Sequence, residues 1–206
     1  MSEGTLRVGY AFCGSFCTFD KAMTALEKVK ARYGDVYPIV SETTAATDTR
    51  FGAAHDFMRE MERICGRRVI SSITAAEPIG PKKLLDVMVV APCTGSTLAK
   101  LATGVSDGVV PLAVKAHLRN GGPVVIAVST NDGLAASAHN ISTLLNRKNC
   151  YFVPFRQDAP EEKPTSLLAE FKLIPEAIEA AMGGRQLQPV LLGAEPDGAP
   201  PSRQGD

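Results

Sequence analysis

The sequence predicts an α/β fold, a three-layer sandwich in which a central parallel sheet carries helices on both faces. Three observations predict it. Short apolar runs alternate along the chain with longer segments of helical periodicity. The run Val87-Met88-Val89-Val90 is apolar without interruption, as a strand buried on both faces must be. The loops after several strands are rich in glycine, serine, threonine and asparagine, and strand ends are where open α/β sheets take ligands.

Residues 6–12 read as the first strand, which runs into Cys13-Gly14-Ser15-Phe16-Cys17. Thr18 is placed to cap the next helix, whose apolar positions Phe19, Ala22, Met23, Leu26 and Val29 share one face. Residues 36–40 form the second strand and enter Ser41-Glu42-Thr43-Thr44. A helix over 50–65 follows, with Gly66 placed to end it. Val69-Ile70 is a short third strand. Ala76-Glu77-Pro78-Ile79-Gly80-Pro81 carries two prolines and a glycine and reads as a structured loop rather than a helix. The fourth strand, 87–91, is ended by Pro92, and a short helix then runs to about residue 101. A longer helix over 108–120 is capped by Asp107 and closed by Gly121-Gly122. Residues 124–128 form the fifth strand, with Ser129-Thr130-Asn131-Asp132-Gly133 at its end. A helix over 136–145, a short strand over 151–154 and a final helix over 167–182 complete the pattern. One domain over residues 1–187 is expected. Residues 188–206, rich in proline, glycine, alanine and polar residues, are expected to form a disordered tail.

Composition narrows the function classes. The 22 Lys and Arg balance 22 Asp and Glu, so no basic surplus exists to release counterions from nucleic acid. Hydrophobic residues at 45% and charged residues at 21% suit a soluble globular protein. No basic segment precedes an apolar stretch near the start, and no apolar run approaches the roughly 18 residues of a membrane span. A cytoplasmic chain without membrane contact is expected. The five cysteines (Cys13, Cys17, Cys65, Cys93 and Cys150) are dispersed and lack C-x-x-C spacing, and no histidine lies near Cys13 and Cys17. Neither a disulfide framework nor a metal site is expected.

The strongest local signal is Ala91-Pro92-Cys93-Thr94-Gly95-Ser96-Thr97-Leu98-Ala99-Lys100. Its small side chains let a ligand approach the backbone, and the hydroxyls and free N–H groups of a helix start suit an anion. An ordinary strand-to-helix turn would use the same residues. Four such loops on one sheet edge, around Gly14-Ser15, 41–44, 94–97 and 129–131, favour a phosphate-bearing ligand. G-x-G-x-x-G is absent after the first strand, and so is G-x-x-x-x-G-K-[ST]. A mononucleotide held by hydroxyl-rich turns remains, flavin mononucleotide (FMN) being the common example on such sheets. Lys100 reads equally as an anion contact or a solvated surface lysine, and Lys82-Lys83 read as a solvated pair more readily than as a substrate clamp. His55, His117 and His139 are isolated, and no Ser–His–Asp arrangement is supported. His139 lies nearest a strand-end loop.

The motif from Ala91 to Ala102, with Gly104 and Asp107, resembles the homo-oligomeric flavin-containing Cys decarboxylase family. Ala76-Glu77-Pro78-Ile79-Gly80-Pro81-Lys82-Lys83, Lys115-Ala116-His117-Leu118-Arg119-Asn120, Ser129-Thr130-Asn131-Asp132-Gly133-Leu134 and Asn149-Cys150-Tyr151-Phe152-Val153-Pro154-Phe155-Arg156-Gln157-Asp158 are similar to the B subunits of dipicolinate synthases within it. The resemblance spans about residues 5–190. It implies a flavodoxin-like Rossmann fold, an FMN site and a homo-oligomer. It also implies a role, in the mother cell of a sporulating bacterium, in oxidising dihydrodipicolinate to dipicolinate. An A subunit, the partner, would bring the NADP-dependent domain. Together with the loops it points to Gly14, Ser15, Phe16, Ser41, Thr43, Pro92, Cys93, Thr94, Gly95, Ser96, Thr97, Ser129 and Asn131 as the FMN-binding set. Lys82, Lys83, Arg119 and His139, with Asn131, are the candidates for substrate carboxylates. No catalytic residue is assigned. The family's decarboxylases carry a catalytic histidine before the fourth strand, where this chain reads Glu77-Pro78-Ile79-Gly80-Pro81. An FMN-dependent decarboxylase acting alone and a non-catalytic stabilising or regulatory subunit stand as the alternatives.

Overall fold

Four parallel strands, each nearly devoid of polar side chains, build the centre of the molecule. The computed structural model describes residues 5–193. In chain order the strands are β1 (Arg7–Phe12), β2 (Asp35–Val40), β3 (Val87–Cys93), β4 (Val124–Thr130), β5 (Cys150–Phe152), β6 (Phe155–Gln157) and β7 (Leu167–Ala169). The helices are α1 (Phe19–Tyr33), α2 (Glu42–Ala46), α3 (Ala54–Cys65), α4 (Ile73–Ala76), α5 (Gly95–Thr103), α6 (Val109–Arg119), α7 (Ala136–Leu145) and α8 (Ile174–Met182). The sheet runs β2-β1-β3-β4-β7-β6, with β5 also paired to β4. Helices α1 and α8 pack on one face, and α6 with α5 and α7 on the other. This is the flavodoxin-like sandwich. All of β3 is buried, which accounts for its unbroken apolar sequence.

The outer part of the sheet departs from the expected all-parallel form. β4 forks: Val124, Val125 and Ile126 pair in parallel with β5, while Ser129 and Thr130 pair antiparallel with β7. β6 extends that antiparallel edge, with Phe155 opposite Ala169 and Gln157 opposite Leu167. The expected helix over 167–182 is therefore a strand, a 3₁₀ turn at Phe171–Leu173 and the shorter α8. Pro175 sits in the first turn of α8, where the missing N–H has no intrahelical partner to lose.

Other differences have local causes. The expected third strand shrinks to one bridge, Ile39 opposite Ile70, because Pro38 can offer β2's outer neighbour only its carbonyl, which takes the Ile70 N–H at 2.8 Å. Within the expected loop 76–81, residues 76–79 are helical: the hydroxyl of Ser72 caps α4 by accepting the Ala75 N–H, a 3₁₀ turn at Glu77–Ile79 continues it, and Gly80 and Pro81 form the turn that follows. The helix expected from residue 50 starts at Ala54, after a tight turn, and its Ala54 N–H is taken by Asp48 Oδ1 at 2.9 Å. At the other end of the chain, the Phe155 N–H reaches Val190 O and the Leu192 N–H reaches Phe155 O. Residues 190–192, expected in the tail, are thus tied to β6, and the portion of the tail over 194–206 lies outside the described residues. A fork of hydrogen bonds from Arg7 to Asp86, at 3.0 and 2.6 Å, ties the start of β1 to the entry of β3.

Candidate functional site

In a parallel sheet every strand delivers its following loop to the same edge. Here the loops after β1, β2, β3 and β4 meet there around a cleft of about 740 Å³, within the range of small-molecule sites. Gly14, Ser15 and Phe16 line it from the first loop, Ser41 and Thr43 from the second, Thr94, Gly95, Ser96 and Thr97 from the third, and Ser129, at the end of β4, with Asn131 just beyond it. A second cavity, about 390 Å³ between α1 and the β7 edge, receives none of these loops.

The loops are stitched together by hydroxyls. Ser15 Oγ lies 2.7 Å from Ser129 Oγ, joining the β1 loop to the end of β4. The Thr18 hydroxyl donates to Ser15 O at 2.8 Å and lies 3.3 Å from Ser129 Oγ. Thr18 is thus drawn into this buried network and makes no side-chain cap on α1, contrary to the sequence expectation. Ser41 Oγ caps α2 by accepting the Thr44 N–H at 3.2 Å, and Thr94 Oγ1 caps α5 by accepting the Thr97 N–H at 3.3 Å. The N–H groups of Gly95 and Ser96 are left at the start of α5 without intrahelical acceptors. Gly95 lets α5 start hard against the segment that follows β4: a Cβ there would lie 2.7 Å from Ser137 Oγ, 2.8 Å from Asp132 Oδ1 and 2.9 Å from Thr130 Oγ1. At Gly14 a Cβ would lie 3.3 Å from Thr43 Cγ2.

Each acidic side chain in the cleft already has a donor. Glu42 Oε1 takes the Val109 N–H at 2.8 Å, Asp132 Oδ1 takes the hydroxyls of Thr130 and Ser137, and Asp158 pairs with Lys163 at 3.5 Å. An anionic ligand would therefore meet satisfied carboxylates and an excess of hydroxyl and N–H donors. Lys100 lines the cleft and is engaged by Asp107 at 2.9 Å, an ion pair that holds that carboxyl below its usual range. Asp107 is consequently not the cap of α6. That place belongs to Gly108, with Glu42 supplying the acceptor from across the cleft. Burial pushes the Cys13 thiol up to about 11 and raises that of Cys93 well above its ordinary value, so both stay protonated at neutral pH.

Several anticipated residues lie elsewhere. Pro92 and Cys93 do not line the cleft, because β3 continues through both, across a cis Ala91–Pro92 bond, and buries them. Lys82, Lys83 and Arg119 stand at the opposite, amino-terminal end of the strands, the lysines in the turn before β3 and Arg119 at the end of α6 near Gly80. His139 is exposed on α7 and does not line the cleft. The segment Glu77–Ile79 packs on α6, also away from the cleft of its own chain. Sequence reasoning missed Arg50 and Phe51, and Asp158, Lys163, Ser166, Leu167 and Leu168 from the β6–β7 hairpin. The hairpin residues arrive by antiparallel return, pinned by Thr165 Oγ1 to Asn131 O at 2.6 Å, and no local composition marks them. Among the described residues no three His, Cys, Asp or Glu side chains could hold a metal ion, and no helix is long and apolar enough to cross a membrane.

This fold and cleft accompany a match of residues 2–177 to the Flavoprotein family, and the chain belongs to that family. Over 186 residues, 90% of this chain and 93% of the relative, it is 41% identical to the dipicolinate synthase B subunit of Bacillus subtilis (strain 168). The crystal structure of the dipicolinate synthase B subunit from Bacillus halodurans C matches with a TM-score of 0.84 at 42% identity, covering 94% of this chain and 99% of that one. The FMN-dependent cysteine decarboxylase SpaF shares the fold, with a TM-score of 0.61 at 22% identity over 86% of this chain and 95% of that one.

Proposed function

We propose that the cleft holds FMN and that the chain acts as the B subunit of a dipicolinate synthase. With a nicotinamide-dependent A subunit carrying NADP, it would oxidise dihydrodipicolinate to dipicolinate during sporulation. The observation that supports the cofactor is the rim of hydroxyls at the start of α5: Thr94, Ser96 and Thr97 line the cleft together with Ser15, Ser41 and Ser129 from three other strand ends. The similarity to dipicolinate synthase B subunits over nine-tenths of the chain supports the reaction.

The hydroxyls of Thr94, Ser96 and Thr97 and the start of α5 would take the phosphate, with Ser41 and Thr43 beside them. Gly14, Ser15, Ser129 and Asn131 would leave room for the ring, with Phe16 against it. Bound there, FMN supplies a ring able to accept a hydride equivalent. Oxidising a dihydropyridine removes two electrons and two protons, and aromatisation favours it strongly. The protein's work is then orientation rather than lowering a large barrier. Lys163 offsets the charge of Asp158, while neutral N–H and hydroxyl donors fix the carboxylates of Glu42 and Asp132 in place.

Flavin absorbance of the purified chain, calorimetric titration with FMN and the variant Gly95→Ala test the cofactor. Wild-type chain should bind FMN, and Gly95→Ala should lose most of it while still unfolding cooperatively. Mixing chain, A subunit and dihydrodipicolinate, with and without NADP, tests the reaction. Dipicolinate formation should depend on both subunits. A chain that never binds flavin yet raises the partner's thermal midpoint would be a stabilising subunit, and the reading would fall.

A further inference from the structure

One segment of the cleft wall is used by none of these roles. Residues 49–52 close a tight turn in which the Thr49 N–H donates to Gly52 O at 3.0 Å and the Gly52 N–H to Thr49 O at 3.1 Å. The Phe51 N–H adds a bond to Thr49 Oγ1 at 3.2 Å. Glycine is required at 52, where φ is +144° and a Cβ would lie 2.9 Å from the Phe57 ring. The turn presents Arg50 and Phe51 at its tip, and both line the cleft. The guanidinium carbon of Arg50 sits 4.9 Å from the centre of the Phe51 ring.

Both tip residues are unusual for an idle surface loop. Phe51 is 45% exposed and lines the cleft, a large apolar side chain left open to solvent. Three cations line that cleft, and two have carboxylates: Lys100 holds Asp107 and Lys163 holds Asp158. Among the described residues, Arg50 has no carboxylate partner. The guanidinium fork lies over the Phe51 ring, so the tip of the turn offers a cationic fork next to a half-exposed aromatic side chain. Its complement is a small planar ring bearing a carboxylate, which the fork would grip in two places while the phenyl group covers the ring. A phosphate, by contrast, is served by the hydroxyls and N–H groups at the start of α5.

We infer that Arg50 and Phe51 form the substrate subsite of this cleft, selecting a planar cyclic carboxylate. The inference takes its substrate, a pyridine dicarboxylate, from the function proposed above. It replaces Lys82, Lys83, Arg119 and His139, which stand outside the cleft.

Calorimetric titration of the purified chain in metal-free buffer tests it, using pyridine-2,6-dicarboxylate, pyridine-2-carboxylate and the acyclic glutarate. Arg50→Gln should weaken the pyridine dicarboxylate at least about tenfold, the loss of a charge-assisted pair, while FMN affinity stays within about twofold. Arg50→Lys should recover only part, since an ammonium lacks the fork. Phe51→Leu should weaken the two ring acids more than glutarate. Unchanged dicarboxylate affinity in Arg50→Gln overturns the inference, as does a wild-type chain that ignores the dicarboxylate. A parallel loss of FMN in Arg50→Gln also overturns it, because Arg50 would then serve the cofactor. If wild-type chain binds FMN but Arg50→Gln binds the acid normally, the proposed function survives without this subsite. Arg50-dependent acid binding by a chain that takes up no FMN would do the reverse.

Discussion

His117 is 2% exposed, and its Nε2 lies 3.1 Å from Pro123 O. Its ring lies against Gly122, where a Cβ would come within 2.2 Å. Burial holds its pKa below the ordinary value, with the Pro123 carbonyl and Asp86 opposing. The folded chain therefore resists protonating this ring, while the unfolded chain takes up a proton near pH 6.5. The associated stability is complete above about pH 6.5 and is lost as pH falls from there toward the lower folded pKa. The thermal midpoint of the wild type should drop between pH 7 and pH 5, and His117→Gln should drop less; parallel slopes would show that this ring is not the titrating group. Single residues also mark the limit of local reading. Thr94, Gly95, Ser96 and Thr97 were legible because a strand end and a helix start lie within ten residues. Arg50 and Phe51 were hidden in what read as the first turn of a helix. Lys82, Lys83 and Arg119 have suitable chemistry, but the strand direction puts them at the wrong end of the sheet.

Elements depend on partners that sequence distance conceals. Helix α6 begins at a glycine, which has no side chain to cap it, and its Val109 N–H is taken by Glu42, 67 positions away. A Cβ at Gly108 would approach Glu42 Oε2 to 3.0 Å, so the small residue and the distant acid fit each other. Adjacency pointed to Asp107, which is instead turned to Lys100. Glu42→Ala should cost about 1 kcal/mol and lower the thermal midpoint by roughly 2–4 °C, whereas Asp107→Ala should leave it almost unchanged. Equal effects in a thermal melt would refute that assignment. The same contrast governs what could be read of the fold. β1 to β4 were legible as apolar runs of five or more residues. β6 and β7 have three residues each, too few to display a two-residue period. Leu167 and Leu168 also fall in step with Phe171, Ile174 and Ile178, so a strand and a helix read as one helix.

At the scale of the whole molecule, stability and function sit at different places along the same strands. β1, β3 and β4 are hydrogen-bonded on both sides through their middles, and Val89, Val90, Val125 and Ile126 are wholly buried. The loops beyond their carboxyl ends hold together through single hydroxyl contacts and short caps. Amide hydrogen exchange should therefore be slowest at those four residues, tracking global unfolding, and much faster over 14–18, 94–97 and 131–133, which open locally. A ligand that binds only the closed rim adds RT ln(1 + [L]/Kd) to its stability. Saturating FMN should slow exchange in all three loops together and leave the Lys82-Lys83 turn and the end of α6 at their original rates. The two ends of the sheet serve as each other's control, since they share strands and differ only in which loops they carry. Protection confined to one loop, or spread to the amino-terminal edge, would mean that these three segments do not act as one site.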